Sequence, residues 1–281
     1  MFQDIAPHVF HNEFDRRPPV PSDYLVILDG RKILLSEDGK LPSVGDFGKI
    51  CPQAVSDAFY LFSIDEAGFF FTHTPFPEKE GVPYRYQNIM VLREMENSYL
   101  AFGAAVASQL GEWYTLHRYC GSCGVPTVHS DEERAIRCPK CGHLYYPRIS
   151  PVVIIAIVDG DRLLLTRYNR SGYRRHALVA GFVEVGETLE EAVRRETMEE
   201  VGLKVKNIRY CESQPWPFSS SLIAGFFADV DGDPSVHLNT DGKDELSEGI
   251  WVKREDLEIE DNSVSLTWDM IRKFRDGLMP R

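Results

Sequence analysis

Residues 181–203 read GFVEVGETLEEAVRRETMEEVGL, and the reading of this segment decides the fold. Thr188 followed by Glu191 is a capping-box pattern just ahead of the apolar Leu189, Ala192 and Val193. Gly202 stands where a left-handed cap ends a helix, with Leu203 behind it as a hydrophobic cap contact. The helix between them is crowded with acids. Glu187, Glu190, Glu191, Glu196, Glu199 and Glu200 face only two basic residues, Arg194 and Arg195. Glu196, Glu199 and Glu200 lie three and four residues apart, so a helix sets them on neighbouring positions of one face, where like charges repel. Glu196 and Glu200 also continue the meridian of Leu189 and Val193, the stripe that turns toward a core. A solvated Glu-rich surface helix is the competing reading, but it does not place acids on the inward stripe. A divalent cation bound there does.

The segment resembles the Nudix box, Gly-x5-Glu-x7-Arg-Glu-U-x-Glu-Glu-x-Gly-U with U bulky and apolar. Gly181, Glu187, Arg195, Glu196, Glu199, Glu200 and Gly202 supply the fixed residues, and Thr197 stands where the pattern has an aliphatic side chain. The resemblance implies the mixed α/β sandwich of that family, an α/β/α arrangement, and an enzyme that cleaves a nucleoside diphosphate linked to another moiety. The chemistry suits the pattern. Magnesium and manganese take oxygen ligands and keep several waters, so a few carboxylates and substrate phosphates complete their shells. Such ions neutralise a pyrophosphate and lower the pKa of water. Glu196 and Glu200 are the expected ligands, with Glu199 beside them. The resemblance adds the backbone carbonyl of Ala180. Arg195 is expected to orient the acids and Glu187 to buttress the loop–helix junction.

Composition sets outer limits. The chain has 281 residues, 43% of them hydrophobic, enough for two domains with real cores. A net charge of −12 argues against a general nucleic-acid binder whose affinity rests on neutralising phosphates. The opening MFQDIAPHVF has neither a basic n-region nor an apolar h-region, and no run of 18 apolar residues occurs. The expectation is a cytoplasmic protein with no membrane partner.

Four of the six cysteines form two Cys-x2-Cys knuckles, Cys120/Cys123 and Cys138/Cys141, separated by 14 residues. Each knuckle presents two thiolates, and two knuckles close one tetrahedral zinc site with no open position for catalysis. A single Cys-x-x-Cys reads equally well as a redox pair, but two so close favour one structural Zn2+. Cys51 and Cys211 read as ordinary isolated residues.

Along the chain, YLVILDGRKILLS from residue 24 predicts a hairpin with Asp29-Gly30 at its turn, and AFYLFSI and FFFTH predict further strands. Residues 97–117 predict a helix capped near Asn97 or Ser98. PVVIIAIV and DRLLLT, joined at Asp159-Gly160, predict a second hairpin that leads through HALVA into the box. LIAGFFADV and EGIWV predict later strands, and VSLTWDMIRKF a closing helix. The expected organisation is an α/β (α+β) chain. It consists of an N-terminal α+β domain (1–117), an intervening zinc ribbon (118–147) and a Nudix domain (148–281).

After the box comes SQPWPFSSSL, in which Gln214, Pro215, Trp216, Pro217, Phe218, Ser219, Ser220 and Ser221 set rigid and aromatic groups among hydrogen-bonding ones. Aromatic faces stack bases for roughly 1–3 kcal/mol each. A Pro-rich edge loop packing its Trp into a core is the plainer alternative. The segment is similar to the SQPWPFPxS element of the NADH pyrophosphatase subfamily of Nudix hydrolases, which also removes NAD caps from RNA, with Ser219 in place of the last proline. Knuckles, box and element follow in that subfamily's order over residues 93–281. The resemblance implies a homodimer with sites shared between subunits, substrate contacts at Arg93, Glu133, Tyr146 and Phe182, and a further metal-binding Glu245. The expected reaction cleaves the pyrophosphate of NADH or NAD over two or three Mg2+ or Mn2+ ions into AMP and a nicotinamide mononucleotide, with Glu200 or Glu245 taking the proton. The loop RYNRSGYRR (167–175) is a candidate guide for capped RNA or an exposed loop balancing the acids. A Nudix hydrolase of ADP-ribose or a dinucleoside polyphosphate, or a non-catalytic nucleotide sensor, remain alternative readings.

Overall fold

The structure, a computed structural model, describes residues 1–78, 81–95, 98–169, 176–259 and 264–280. Contacts group the chain into two compact units, one formed by residues 2–148 and 217–220, the other by Met1, 149–216 and 221–281.

In the first unit, strands β1 (Phe10–His11), β2 (Tyr24–Val26), β3 (Leu28–Asp29) and β4 (Lys32–Ser36) precede helices α1 (Val44–Ile50) and α2 (Pro52–Ser56). Strands β5 (Phe59–Ile64), β6 (Ala67–Phe71) and β7 (Tyr84–Asn88) and the long helix α3 (Ser98–Leu116) follow. The strands form a four-stranded sheet, β1-β5-β6-β2, and a three-stranded one, β3-β4-β7. Strand β3 pairs with β4 at Asp29↔Lys32, so the two-residue loop is Gly30-Arg31 rather than Asp29-Gly30. A tight hairpin needs positive φ at its first loop position, and Gly30 supplies it at 56°. The second hairpin shifts in the same way, to Gly160-Asp161. Helix α3 begins at Ser98, and the expected cap at Asn97 lies outside the described residues. Three short strands, β8 (Val128–His129), β9 (Ile136–Arg137) and β10 (Leu144–Tyr145), form the ribbon that carries the cysteines.

The second unit holds β11 (Ser150–Asp159), β12 (Arg162–Tyr168), β13 (Val179–Phe182), α4 (Leu189–Val201), β14 (Val205–Trp216), β15 (Ser221–Val230), β16 (Leu246–Lys253) and α5 (Leu266–Arg275). Its six-stranded sheet runs β14-β15-β11-β12-β16, with β13 added to β11. The pairing is antiparallel except for β11 with β15, so the sheet is mixed. The period of two in VVIIAIV divides its side chains between two cores. Val153, Ile155 and Ile157 pack with Ala192, Val193 and Val201 of α4, while Ile154, Ala156 and Val158 pack with Leu266, Met270, Ile271 and Phe274 of α5. One helix therefore covers each face, an α/β/α sandwich. Among the described residues no helix is long and apolar enough to cross a membrane.

Candidate functional site: an acidic helix and a four-cysteine cluster

Helix α4 starts on the capping box read from the sequence. The Thr188 hydroxyl accepts from the Glu191 N–H at 3.2 Å, and the Thr188 N–H donates to the Glu191 carboxylate at 2.8 Å. It ends at Gly202, left-handed at φ 69°. Its inward face carries Ala192, Val193, Thr197 and Val201, and with them Glu196 and Glu200, only 9% and 6% exposed. Thr197, the departure from the box, is fully buried, and its hydroxyl donates to the Val193 carbonyl at 2.7 Å. A polar side chain satisfied within its own helix turn fills the apolar position at little cost.

Arg195 fixes the acids. Its guanidinium donates to Glu187 through Nε at 2.6 Å and Nη2 at 2.9 Å, and its Nη1 donates to Glu196 at 2.6 Å and Glu199 at 3.3 Å. Nη2 also reaches the Phe182 carbonyl at 2.9 Å, so one side chain ties the preceding strand, the loop and the helix together. Arg195 holds the Glu187 carboxyl down at about 2. Burial instead pushes Glu196 up and raises Glu200 to about 8, with the charges of Glu196, Glu245 and Asp241 adding to the latter shift.

Gly181 is needed for a steric reason. A Cβ built on it falls 1.9 Å from the Glu196 carboxyl carbon, so the carboxylate lies flat against the glycine backbone. Arg195 pins that carboxylate from the other side. Gly181→Ala is therefore expected to displace Glu196 without unfolding the sheet. A shift of about 1 Å in such a group costs on the order of 10²-fold in turnover. Parallel kinetics and circular dichroism check this, with lost activity in a protein of unchanged spectrum as the expected result.

The donor set fits a hard divalent cation. Glu200 Oε2 is buried with no hydrogen-bond partner among the described residues, while the carboxylate takes a hydrogen bond from the Ala180 backbone N–H. A buried carboxylate oxygen left unmatched is costly unless it is protonated or met by positive charge. Glu199 lies on the same helix, next to Glu200, and Glu245 stands on the exposed loop before β16. Among the described residues these carboxylates do not gather as tightly as the thiols do: the ligating atoms found within 4.8 Å of one another are those of Cys120, Cys123, Cys138 and Cys141. Glu196 turns instead to Arg195.

The thiols are set for zinc. Cys120 lies 3.6 Å from Cys141, and Cys123 lies 3.5 Å from Cys138 and 3.8 Å from Cys141. Bonds of about 2.3 Å from a tetrahedral zinc imply sulfur–sulfur edges of roughly 3.8 Å, close to these and far from a disulfide's roughly 2 Å. The Tyr145 hydroxyl approaches Cys120 Sγ at 3.3 Å and is the largest influence lowering that thiol to about 6.

The remaining sequence-expected residues are dispersed. Phe182, at the end of β13, is 54% exposed. Glu133 accepts from the Tyr146 hydroxyl at 3.0 Å, both in the first unit, where the exposed Arg93 closes a 3-10 turn. The SQPWPFSSS segment is divided between buried and exposed positions. Gln214 is fully buried; its amide donates to the Val264 carbonyl at 2.9 Å and accepts from the Leu266 N–H at 2.8 Å, so it serves the start of α5. Pro217 and Phe218 are buried as well, Phe218 ring to ring with Phe2 at 5.3 Å, and Ser221 is buried. Apolar rings gain more from packing than from display. Pro215, Trp216 and Ser220 are half-buried, and Ser219 is exposed. Arg167 pairs with Glu248 at 3.0 Å, and the Arg170, Tyr173, Arg174 and Arg175 part of the proposed RNA guide lies outside the described residues. Sequence reasoning missed Asp241 and Lys243, charged neighbours of the acids: spaced loop residues carry no periodic signal.

Comparison with known proteins agrees with this geometry. Residues 148–274 match the family described as the NUDIX domain, and residues 116–146 match the NADH pyrophosphatase zinc ribbon domain. The chain is 49% identical over 149 residues to the NAD-capped RNA hydrolase NudC of Citrobacter koseri, covering 53% of this chain and 56% of that protein. Proteins of the same name from Salmonella heidelberg and Shigella flexneri are 50% identical over 149 residues with the same coverage. The chain thus spans little more than half the length of the curated relatives it matches. Among solved structures, a NUDIX hydrolase from Nitrosomonas europaea is similar at 23% identity and a TM-score of 0.48, covering 57% of this chain and 91% of that one.

Proposed function

We propose that this chain, which carries a Nudix domain joined to an NADH pyrophosphatase zinc ribbon, hydrolyses the pyrophosphate bond of NADH and NAD to AMP and a nicotinamide mononucleotide, and removes NAD caps from RNA 5' ends. The observation that carries the reading is the buried Glu200 oxygen, unpartnered among the described residues, within the field of Glu196 and Glu245. Two or three magnesium or manganese ions, held by Glu196, Glu200, Glu245 and the Ala180 carbonyl, would neutralise the diphosphate and lower the pKa of the attacking water.

The residues of the chain supply the rest. Glu200 takes the proton as water adds to one phosphorus. The bridging oxygen leaves with the other nucleotide, so one water yields two phosphate monoesters. Arg195 holds Glu196 and Glu199 in place and keeps Glu187 charged. Phe182 offers an exposed ring for a base, and Trp216 and Ser219 are assigned as further substrate contacts. Glu133 and Tyr146 are assigned to the substrate of a second copy in a homodimer. The reduced thiols that zinc requires support a cytoplasmic location.

The test presents NADH, NAD and NAD-capped RNA side by side with ADP-ribose, with and without Mn2+ or Mg2+. Metal-dependent release of the nicotinamide mononucleotide is expected, with AMP as the other product from NADH and NAD and 5'-monophosphorylated RNA from the capped transcript. Release from ADP-ribose alone, or from none of the four, overturns the reading.

A further inference from the structure

Helix α4 ends in three carbonyls that need partners, those of Glu199, Glu200 and Val201, while the Met198 carbonyl already accepts from the Gly202 N–H at 3.0 Å. The loop 237–240 supplies them. The His237 N–H donates to Val201 at 3.0 Å, Asn239 to Glu200 at 2.9 Å and Thr240 to Glu199 at 2.7 Å, and the Thr240 hydroxyl donates to Met198 at 2.6 Å. Three of these bonds would serve any helix end. Asn239 does something else. With its backbone bound to Glu200, its side chain turns the other way and grips the chain on either side of the next peptide group. Oδ1 accepts from the Glu245 N–H at 3.2 Å and the Leu246 N–H at 2.9 Å, and Nδ2 donates to the Leu246 carbonyl at 2.9 Å. The Glu245 carbonyl is held in turn by the Asn169 N–H at 2.8 Å.

Asn239 makes this double attachment in the left-handed conformation, φ 57°, which asparagine tolerates better than most side chains. Between it and Glu245 lies a loop of exposed residues, Thr240 to Asp244. Without a clamp, an exposed glutamate on such a loop has no fixed distance to a buried one on a helix. We propose that Asn239 is a positioning residue that sets Glu245 against Glu200, and so fixes the spacing of the two carboxylate elements that receive the divalent cation. This rests on the reading of Glu245 as a metal ligand. Asn239 touches neither substrate nor ion; it acts through the backbone of Glu245.

Asn239→Gly removes the side-chain bonds, keeps the N–H to Glu200 and accepts positive φ without strain. Mn2+ binding without substrate, by electron paramagnetic resonance, and the Mn2+ concentration for half-maximal activity are measured together in four proteins: wild type, Asn239→Gly, Glu245→Gln and the double variant. Asn239→Gly is expected to raise the half-maximal Mn2+ concentration by about tenfold. In the Glu245→Gln background it should add less than about twofold, because the two residues act as one unit. Equal effects in both backgrounds would assign Asn239 to the helix end alone and overturn the proposal. Wild-type Mn2+ behaviour in Glu245→Gln would instead remove the underlying ligand assignment. Asn239→Asp keeps the acceptor for both N–H groups and the tolerance of positive φ but loses the donor to the Leu246 carbonyl, so it is expected to raise the half-maximal Mn2+ concentration by about threefold or more, and by less than about twofold in the Glu245→Gln background. Equal rises in the two backgrounds there overturn the proposal even if the glycine variant fails to fold.

Discussion

Replacing Glu200 by glutamine is expected to lower turnover by about 10³-fold or more, because it removes both an ion ligand and the group assigned to take the proton. The same substitution should make the metal-free protein no less stable, and the two effects together are diagnostic. Burial and the charges of Glu196, Glu245 and Asp241 raise the Glu200 carboxyl to about 8, well above the ordinary carboxylate range. A carboxyl whose folded pKa is raised stabilises the fold when protonated. That contribution is complete below about pH 4.5 and is lost as pH rises through about 8. Glu196 is shifted in the same direction. In a chelator, the melting temperature should therefore fall by roughly 2–6 °C between pH 5 and 8.5. Mg2+ should restore more of it at pH 8.5 than at pH 5, and Glu200→Gln should flatten the slope. Glu187 behaves oppositely: held down at about 2 by Arg195, it contributes above the ordinary carboxylate pKa and loses that contribution as pH falls through about 2. A variant that turns over within a few fold of wild type, or that melts with the wild-type pH slope, removes Glu200 from its assigned place.

The second large effect concerns the cysteines. Cys138 is 1% exposed, and the four sulfurs already lie at the separations a zinc tetrahedron sets. Zinc binding in such small modules amounts to about 10–16 kcal/mol of apparent folding free energy, against about 5–15 kcal/mol for an entire ordinary domain. The three ribbon strands are two residues each, and their apolar content cannot replace the metal. Cys138→Ser is expected to abolish zinc retention and unfold the ribbon. Titrating the wild-type thiols with a mercurial should release one zinc per chain into a chromogenic chelator. No zinc released, with the four thiols freely reactive in the native protein, would contradict the assignment.

Much of this was legible in the sequence for identifiable reasons. Periodicity placed Glu196 and Glu200 on the inward stripe of α4, and local rules found both helix ends, because these are effects of neighbours within one turn. The apolar runs PVVIIAIV and DRLLLT on either side of Asp159-Gly160 foretold a hairpin. What escaped depended on partners distant along the chain. Gly181 is a glycine because a carboxylate 15 positions later rests on it. Gln214 resembles a ligand-binding amide by composition, yet both of its ends are taken up by residues about 50 positions away. Phe218 and Pro217 sit in a core, not in a display loop, since aromatic character does not reveal whether a ring is to be buried or shown. The hairpin turns shifted by one residue because Asp-Gly marks a turn, while the register of the flanking strands decides which two residues form its loop.

The central claim is that the acids of α4 exist to hold divalent ions against a diphosphate. Crystals grown with Mn2+ and measured at the manganese absorption edge test it most directly. The account predicts anomalous peaks within coordination distance of Glu196 and Glu200, with Glu200 Oε2 among the ligands. Carboxylates free of any such peak, in crystals saturated with the ion, would contradict it.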